Sequence, residues 1–389
     1  METFAPVARL DTIKLLFALA AQKQWKVHQL DVKSAFLNGF LKEEIFIEQP
    51  NGFKVLGQED KVYKLKKALY GLKQAPRAWY DKVDTYLSML GFEKSVSEST
   101  LYVKKSEGET LLIVSLYVDD LLVTGSKDEL ISEFKVQMQE VFEMTDLGVM
   151  TYFIGMKVNQ SDQGIFISQH AFALKILNRF CMTNYKTVST PMAQRDKLTS
   201  SGNQERVDEK EYRSLVGCLL YLTAIRPDIM FRVSLLSRFM HCCDVNHFKA
   251  AKRILRYVKG TLSYGVKFEK RNEFKLIGYP DSDWVGSVND MKSTSGYFFT
   301  LGSGFFNWSS KKQQTVVQST AEAEYTAATA AVNKVIWLRK LLCDLNEEQT
   351  QPTEIRVDNQ LAVAIAKNPV FRGKTKHVKI KFHFVCEVE

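Results

Sequence analysis

The sequence contains no C-x-x-C pair, although six cysteines are present: Cys181, Cys218, Cys242, Cys243, Cys343 and Cys386. Without a regular spacing they make no disulphide framework, and they fit thiols kept reduced inside a cell. Long hydrophobic runs are also missing. The best apolar stretch, 111–118, is strand-sized, and charges cut the others, so no segment is long enough to span a bilayer. Met1 opens no signal-peptide pattern, and there is no internal repeat or low-complexity tract. These absences exclude a membrane partner, a secreted disulphide scaffold and a repeat array, and predict a soluble chain.

What is present is ordinary globular material with a basic bias. A hydrophobic fraction of 45% and a charged fraction of 25% argue against disorder. At 389 residues the chain is long enough for two or three cores. Lys plus Arg exceed Asp plus Glu by 53 to 44, a net charge of +9. That balance favours a polyanionic partner, with nucleic acid the first candidate.

Along the chain, helical stretches alternate with short apolar runs. Residues 111–118, Asp119-Asp120 and 121–123 predict a strand, a tight turn and a strand. A second strand pair is expected at 156–158 and 164–167, then a helix over 171–179. Residues 183–210 are rich in Ser, Thr, Asn, Gln and charge and predict a linker. Residues 211–257 read as mostly helical with a break at Pro227, and Arg253, Arg256 and Lys259 mark a basic closing segment. Strands are expected at 275–279, 296–301, 305–308 and 354–357, with a long helix over 320–345. That order is α/β.

Two groups of carboxylates stand out. Asp119 and Asp120 lie between two apolar strands, where adjacent like charges raise each other's energy unless a cation neutralises them. A third acid, Asp31, ends a short strand-like segment 25–36 and would complete a hard-oxygen site. Two divalent ions about 4 Å apart on such acids can activate a 3′-hydroxyl and stabilise a leaving pyrophosphate. Taken alone, strand-Asp-Asp-strand is also the pattern of an Asx-rich turn. In the second group Asp281 follows a strand, Glu324 lies at a helix start and Asp358 ends another strand. Ser319 and Glu322 fit a capping box, which leaves Glu324 as the acid available to a metal. Asp283 reads as an Asx or surface residue.

Three strings, Gln29 to Gly39, Lys67 to Tyr80 and Tyr117 to Gly125, resemble in order three motifs of copia-type reverse transcriptases. The resemblance continues through Asp146-Leu-Gly, Tyr212-Arg-Ser-Leu-Val-Gly217 and Ala251-Lys-Arg-Ile-Leu-Arg-Tyr257, and so covers essentially the whole chain. It implies a multidomain α+β and α/β protein: a reverse-transcriptase palm at 1–165, a helical thumb or connection with linker at 166–270, and a ribonuclease H-like α/β domain at 271–389. The implied activity is RNA-directed DNA polymerisation with hydrolysis of RNA in RNA–DNA hybrids. The implied cofactor is Mg²⁺, two ions per active site, with Mn²⁺ as a substitute. Asp31, Asp119 and Asp120 would be catalytic metal ligands of the polymerase, and Asp281, Glu324 and Asp358 those of the ribonuclease.

By the same resemblance, Phe36 would exclude a ribose 2′-hydroxyl by size, although a core Phe is the plain alternative. Gly71, Gln74 and Arg77 would lie by nucleotide and template, in a stretch where lysines alternate with Tyr and Trp. An amphipathic helix with a solvated face is the plain alternative there. Implied partners are an RNA template, a DNA primer, an RNA–DNA hybrid, dNTPs and other parts of the polyprotein. The implied setting is intracellular, a cytoplasmic particle or the nucleus. The family's fingers and a fourth ribonuclease carboxylate are expected outside this chain, at its two ends. No protease-like D-[ST]-G, zinc knuckle or integrase cluster is seen. With both ends clipped, the rival expectations are a catalytically inactive nucleic-acid-binding remnant and an inert fragment. His241, Cys242, Cys243 and His247 offer soft ligands, but adjacent cysteines seldom chelate one ion. His377 and His383 are set aside.

Overall fold

The computed structural model describes residues 3–106, 108–193, 198–200 and 205–367. The chain divides into two compact units, one of 1–13, 25–150 and 340–348, the other of 14–24, 151–339 and 349–389. The pair of strands at 156–168, attached by the sequence reading to the first region, falls in the second unit. The five described cysteines are free, and Cys386 lies outside the described residues. Among the described residues no helix is long and apolar enough to cross a membrane.

The first unit is built on a six-stranded sheet in the order Glu93–Lys94, Leu101–Ser106, Glu109–Tyr117, Asp120–Gly125, Val27–Val32, Met144–Val149. Every neighbouring pair is antiparallel. Helices Ala75–Met89 and Asp128–Val141 cover it with apolar faces repeating at helical spacing: Trp79, Val83 and Leu87 from one, Ile131, Phe134 and Met138 from the other. Pro76 in the first turn of Ala75–Met89 starts that helix without losing a needed N–H. The strands contribute Leu30, Val32, Leu112, Val114, Leu121 and Val123 to the same core.

In the second unit, helices His170–Arg179, Glu209–Leu222, Met230–Ser237 and Val245–Gly260 share a core that includes Leu177, Tyr212, Leu219, Val233, Ile254 and Val258. An antiparallel sheet runs Tyr152–Phe153, Met156–Ser161, Gly164–Ser168, Gly265–Phe268. Another runs Gly304–Lys312, Thr294–Leu301, Leu276–Ser282, Glu354–Ile355. Its last strand is parallel to Leu276–Ser282, and helix Thr320–Asp344 lies in the connection that parallel pairing requires. The expected strand at 354–357 is shorter, ending at Ile355, so Asp358 lies three residues past it.

Candidate active site

Alternation along the central strands of the first unit sorts their side chains. Leu30, Val32, Leu121 and Val123 enter the helix-covered core, which puts Gln29, Asp31 and Asp120 on the opposite face. Asp31 and Asp120 are direct partners across the antiparallel pair, where Cα atoms lie about 5 Å apart. Asp119 is the second residue of the two-residue turn closed by the Tyr117–Asp120 pair. Its carbonyl oxygen accepts a bond from Val32 N at 2.9 Å, tying the turn to the neighbouring strand. Val118, the first turn residue, has φ 58°, a conformation that hairpin turns usually give to Gly and that strains a β-branched residue. Trp79 Nε1 donates to the Val118 carbonyl oxygen at 2.6 Å and holds it there. Burial pushes the Asp120 carboxyl up, and the charges of Asp119 and Asp31 push the same way. A bond from Gln29 Nε2 to Asp120 Oδ1, 2.8 Å, opposes them.

Phe36 and the pair Gln74 and Arg77, three of the four expected substrate-contacting residues, fall at two places in the first unit. Phe36 sits in the single turn Ala35–Asn38, its ring 4.7 Å from that of Tyr70. Gly39 then passes so close to helix Ala75–Met89 that a Cβ would lie 2.7 Å from Ala78 C and Trp79 N. Gln74 precedes that helix and Arg77 lies in its first turn; with Phe40, Lys42 and Asp81 they line a cavity of about 130 Å³. Arg77 Nε is 2.9 Å from Asp81 Oδ1. Gly71 occupies a turn with φ 95° and lines no part of that cavity.

The second acid group forms at strand ends. Asp281 is the penultimate residue of Leu276–Ser282, and Asp358 follows the parallel strand beside it, so both lie at carboxyl ends of parallel neighbours, where α/β sheets bind ligands. Glu324 is buried in the second turn of Thr320–Asp344. Its Oε1 accepts from Ser282 N at 3.2 Å, while Oε2 is buried without a hydrogen-bond partner. Burial above all pushes Glu324 up to about 7, with Asp281 and Asp358 adding to the rise. Glu322 is spent locally: its N–H donates to Ser319 Oγ at 3.2 Å and its Oε2 accepts from Gln318 N at 2.8 Å. Asp283 is half-buried rather than a surface residue, accepting from Thr294 N at 2.5 Å. An apolar cavity of about 520 Å³ lined by Tyr325, Val332, Ile336 and Val363 touches none of the three acids.

Residues 1–194 match the model of a family described as reverse transcriptase (RNA-dependent DNA polymerase). The Pol polyproteins of transposons RE2 and RE1 of Arabidopsis thaliana are 39% and 40% identical over 384 residues, covering 99% of this chain and 26% of each relative. The transposon Ty5-1 protein of Saccharomyces cerevisiae is 33% identical over 310 residues, 79% of this chain and all of that relative. The chain belongs to the copia-type Pol polyprotein family. It spans about a quarter of the length of its RE1 and RE2 relatives.

In this copia-type Pol chain every expected site residue lies among the described residues, whereas His377 and His383 lie outside them. His247 is turned to a structural task, its Nδ1 accepting from Asp244 N at 3.2 Å in the cap of Val245–Gly260. Among the described residues no three His, Cys, Asp or Glu side chains stand together as a ready ligand set for a metal. The fit to a cation rests instead on charge: two all-oxygen acid groups, one with a raised Asp120, the other with an unpartnered buried oxygen on Glu324. Gln29 was missed by sequence reasoning, and Trp79, which the sequence places among aromatics suited to stack on base or sugar, is buried instead, so its role at the turn was missed too. Gln29 had a signal, lying two residues before Asp31 and hence on its face; Trp79 had none, because its partner is 39 residues away.

Proposed function

We propose that the chain carries RNA-directed DNA polymerase chemistry at Asp31, Asp119 and Asp120 and ribonuclease H chemistry at Asp281, Glu324 and Asp358. The observation that supports this most is the register pairing of Asp31 with Asp120, with Asp119 in the adjoining turn. Regions 1–165, 166–270 and 271–389 would serve as palm, helical connection and ribonuclease H-like domain.

Each acid group would hold two Mg²⁺ ions, for which Mn²⁺ can substitute, and bound there the ions supply Lewis acidity toward phosphoryl oxygens and lower the pKa of a hydroxyl or water. The protein's own part is to concentrate negative charge on one face of a sheet. The strained Val118 turn carries Asp119, and Trp79 keeps that turn from relaxing. Phe36, backed by Tyr70, would crowd a 2′-hydroxyl on an incoming nucleotide. Arg77 and Gln74 offer donors toward phosphate or base beside the palm. In the second group the buried Glu324 would offer its unpartnered Oε2 to a cation. The partners of this reading are RNA template, DNA primer, RNA–DNA hybrid, dNTPs and other parts of the polyprotein.

Primer extension on an RNA template with Mg²⁺ tests it, run beside the Asp119→Asn, Asp120→Asn variant. Extension by the parent alone is expected. No extension by either, with hybrid binding retained, would reduce the chain to a nucleic-acid-binding module.

A further inference from the structure

Gln29 stands opposite Leu122 across the strand pair and two residues from Asp31, so it is the diagonal neighbour of Asp120 on the acidic face. It is 9% exposed, and its amide donates to Asp120 Oδ1 at 2.8 Å. The residue type matters at that point. A lysine would neutralise the carboxylate and compete with a cation. A serine is too short to span the diagonal, an apolar chain would leave the carboxylate unrestrained, and a glutamate would add a fourth negative charge. A neutral donor of this length fixes one oxygen and leaves the other for a ligand.

We propose that Gln29 is a positioning residue that holds the Asp120 carboxylate in one orientation for a divalent cation shared with Asp31 and Asp119. The proposal rests on the polymerase reading for the cation's task, but binding of the cation can be followed without turnover. The probe is Mn²⁺, titrated by electron paramagnetic resonance into the full chain carrying Glu324→Gln, so that the first acid group dominates. Gln29→Met keeps the length of the side chain and removes the donor; it is expected to weaken Mn²⁺ binding by about 10–100-fold, the range for partners behind a metal ligand. Cooperative unfolding is expected to be retained in Gln29→Met, which separates lost positioning from lost folding.

Equal Mn²⁺ affinity in the parent and Gln29→Met overturns the proposal. So does parent binding that survives Asp119→Asn, Asp120→Asn. Loss of affinity in Gln29→Met together with no primer extension by the parent supports the positioning role and sinks the polymerase reading, so the two failures are distinct.

Discussion

Trp79 Nε1 donates to the carbonyl oxygen of Val118 at 2.6 Å, which ties helix Ala75–Met89 to the turn that carries Asp119. Val118 needs such a tie, because φ 58° strains a β-branched residue and the neighbouring structure must impose it. Trp79→Phe keeps most of the buried ring and deletes the donor. It is expected to lower unfolding free energy by about 1–3 kcal/mol and to reduce primer extension by more than that loss explains. Urea denaturation and single-turnover extension at one temperature measure the two effects.

Gly39→Ala places a methyl 2.7 Å from the backbone of Ala78 and Trp79, and main chain cannot step aside as a side chain can. A cost on the order of 1–3 kcal/mol is expected from such overpacking. Urea unfolding should show it, while alanine at the exposed Gly52, where a Cβ meets nothing within 4 Å, should cost only the backbone strain of φ 84°.

Phe36→Ala removes the ring that lies tilted against Tyr70. Discrimination against ribonucleotides should fall by about 10–100-fold, the range a size-based pocket supplies, with deoxyribonucleotide incorporation less affected. Steady-state incorporation of rNTP against dNTP by parent and variant measures the ratio; an unchanged ratio assigns Phe36 to the core alone.

Glu324 is pushed up to about 7 from the ordinary 4.5, chiefly by burial. Its folded pKa lies above its unfolded one, so its protonation contributes stability that is full below about 4.5 and lost as pH rises through about 7. Without divalent cations, thermal unfolding should therefore occur at lower temperature at pH 8 than at pH 5.5. Glu324→Gln should flatten that slope and stabilise the chain at pH 8 by on the order of 1–2 kcal/mol, below a full conversion of the shift because Asp281 and Asp358 face solvent.

Much of the six-stranded sheet was legible because its signals are local. Strand 111–118, the Asp-Asp turn and strand 121–123 sit in one stretch of alternating and apolar residues, and the structure has Glu109–Tyr117 and Asp120–Gly125 there, with the turn one residue earlier, at Val118-Asp119, and Asp120 in the strand. The long helix expected at 320–345 is Thr320–Asp344, and Ser319 with Glu322 marked its start. What stayed hidden depends on distant partners. Trp79 reads as an amphipathic-helix residue until its Val118 acceptor is known, and Gln29 reads as a strand filler until Asp120 lies on its diagonal. Asp283 reads as an Asx or surface residue until the strand carrying Thr294 is seen beside it, with Thr294 N donating to its carboxylate. The division of the chain after residue 150 also left no mark, since the composition shift falls later, at 183–210.

The most direct test of the account is separation of the two acid groups in one full-length chain, using Asp31→Asn and Asp281→Asn singly with Mg²⁺. One assay reads primer extension on RNA; the other reads cleavage of the RNA strand of a labelled hybrid. The account predicts that Asp31→Asn abolishes extension and spares cleavage, and that Asp281→Asn does the reverse. Extension undiminished by Asp31→Asn would contradict it, because the acid paired with Asp120 could then not be part of the polymerase centre.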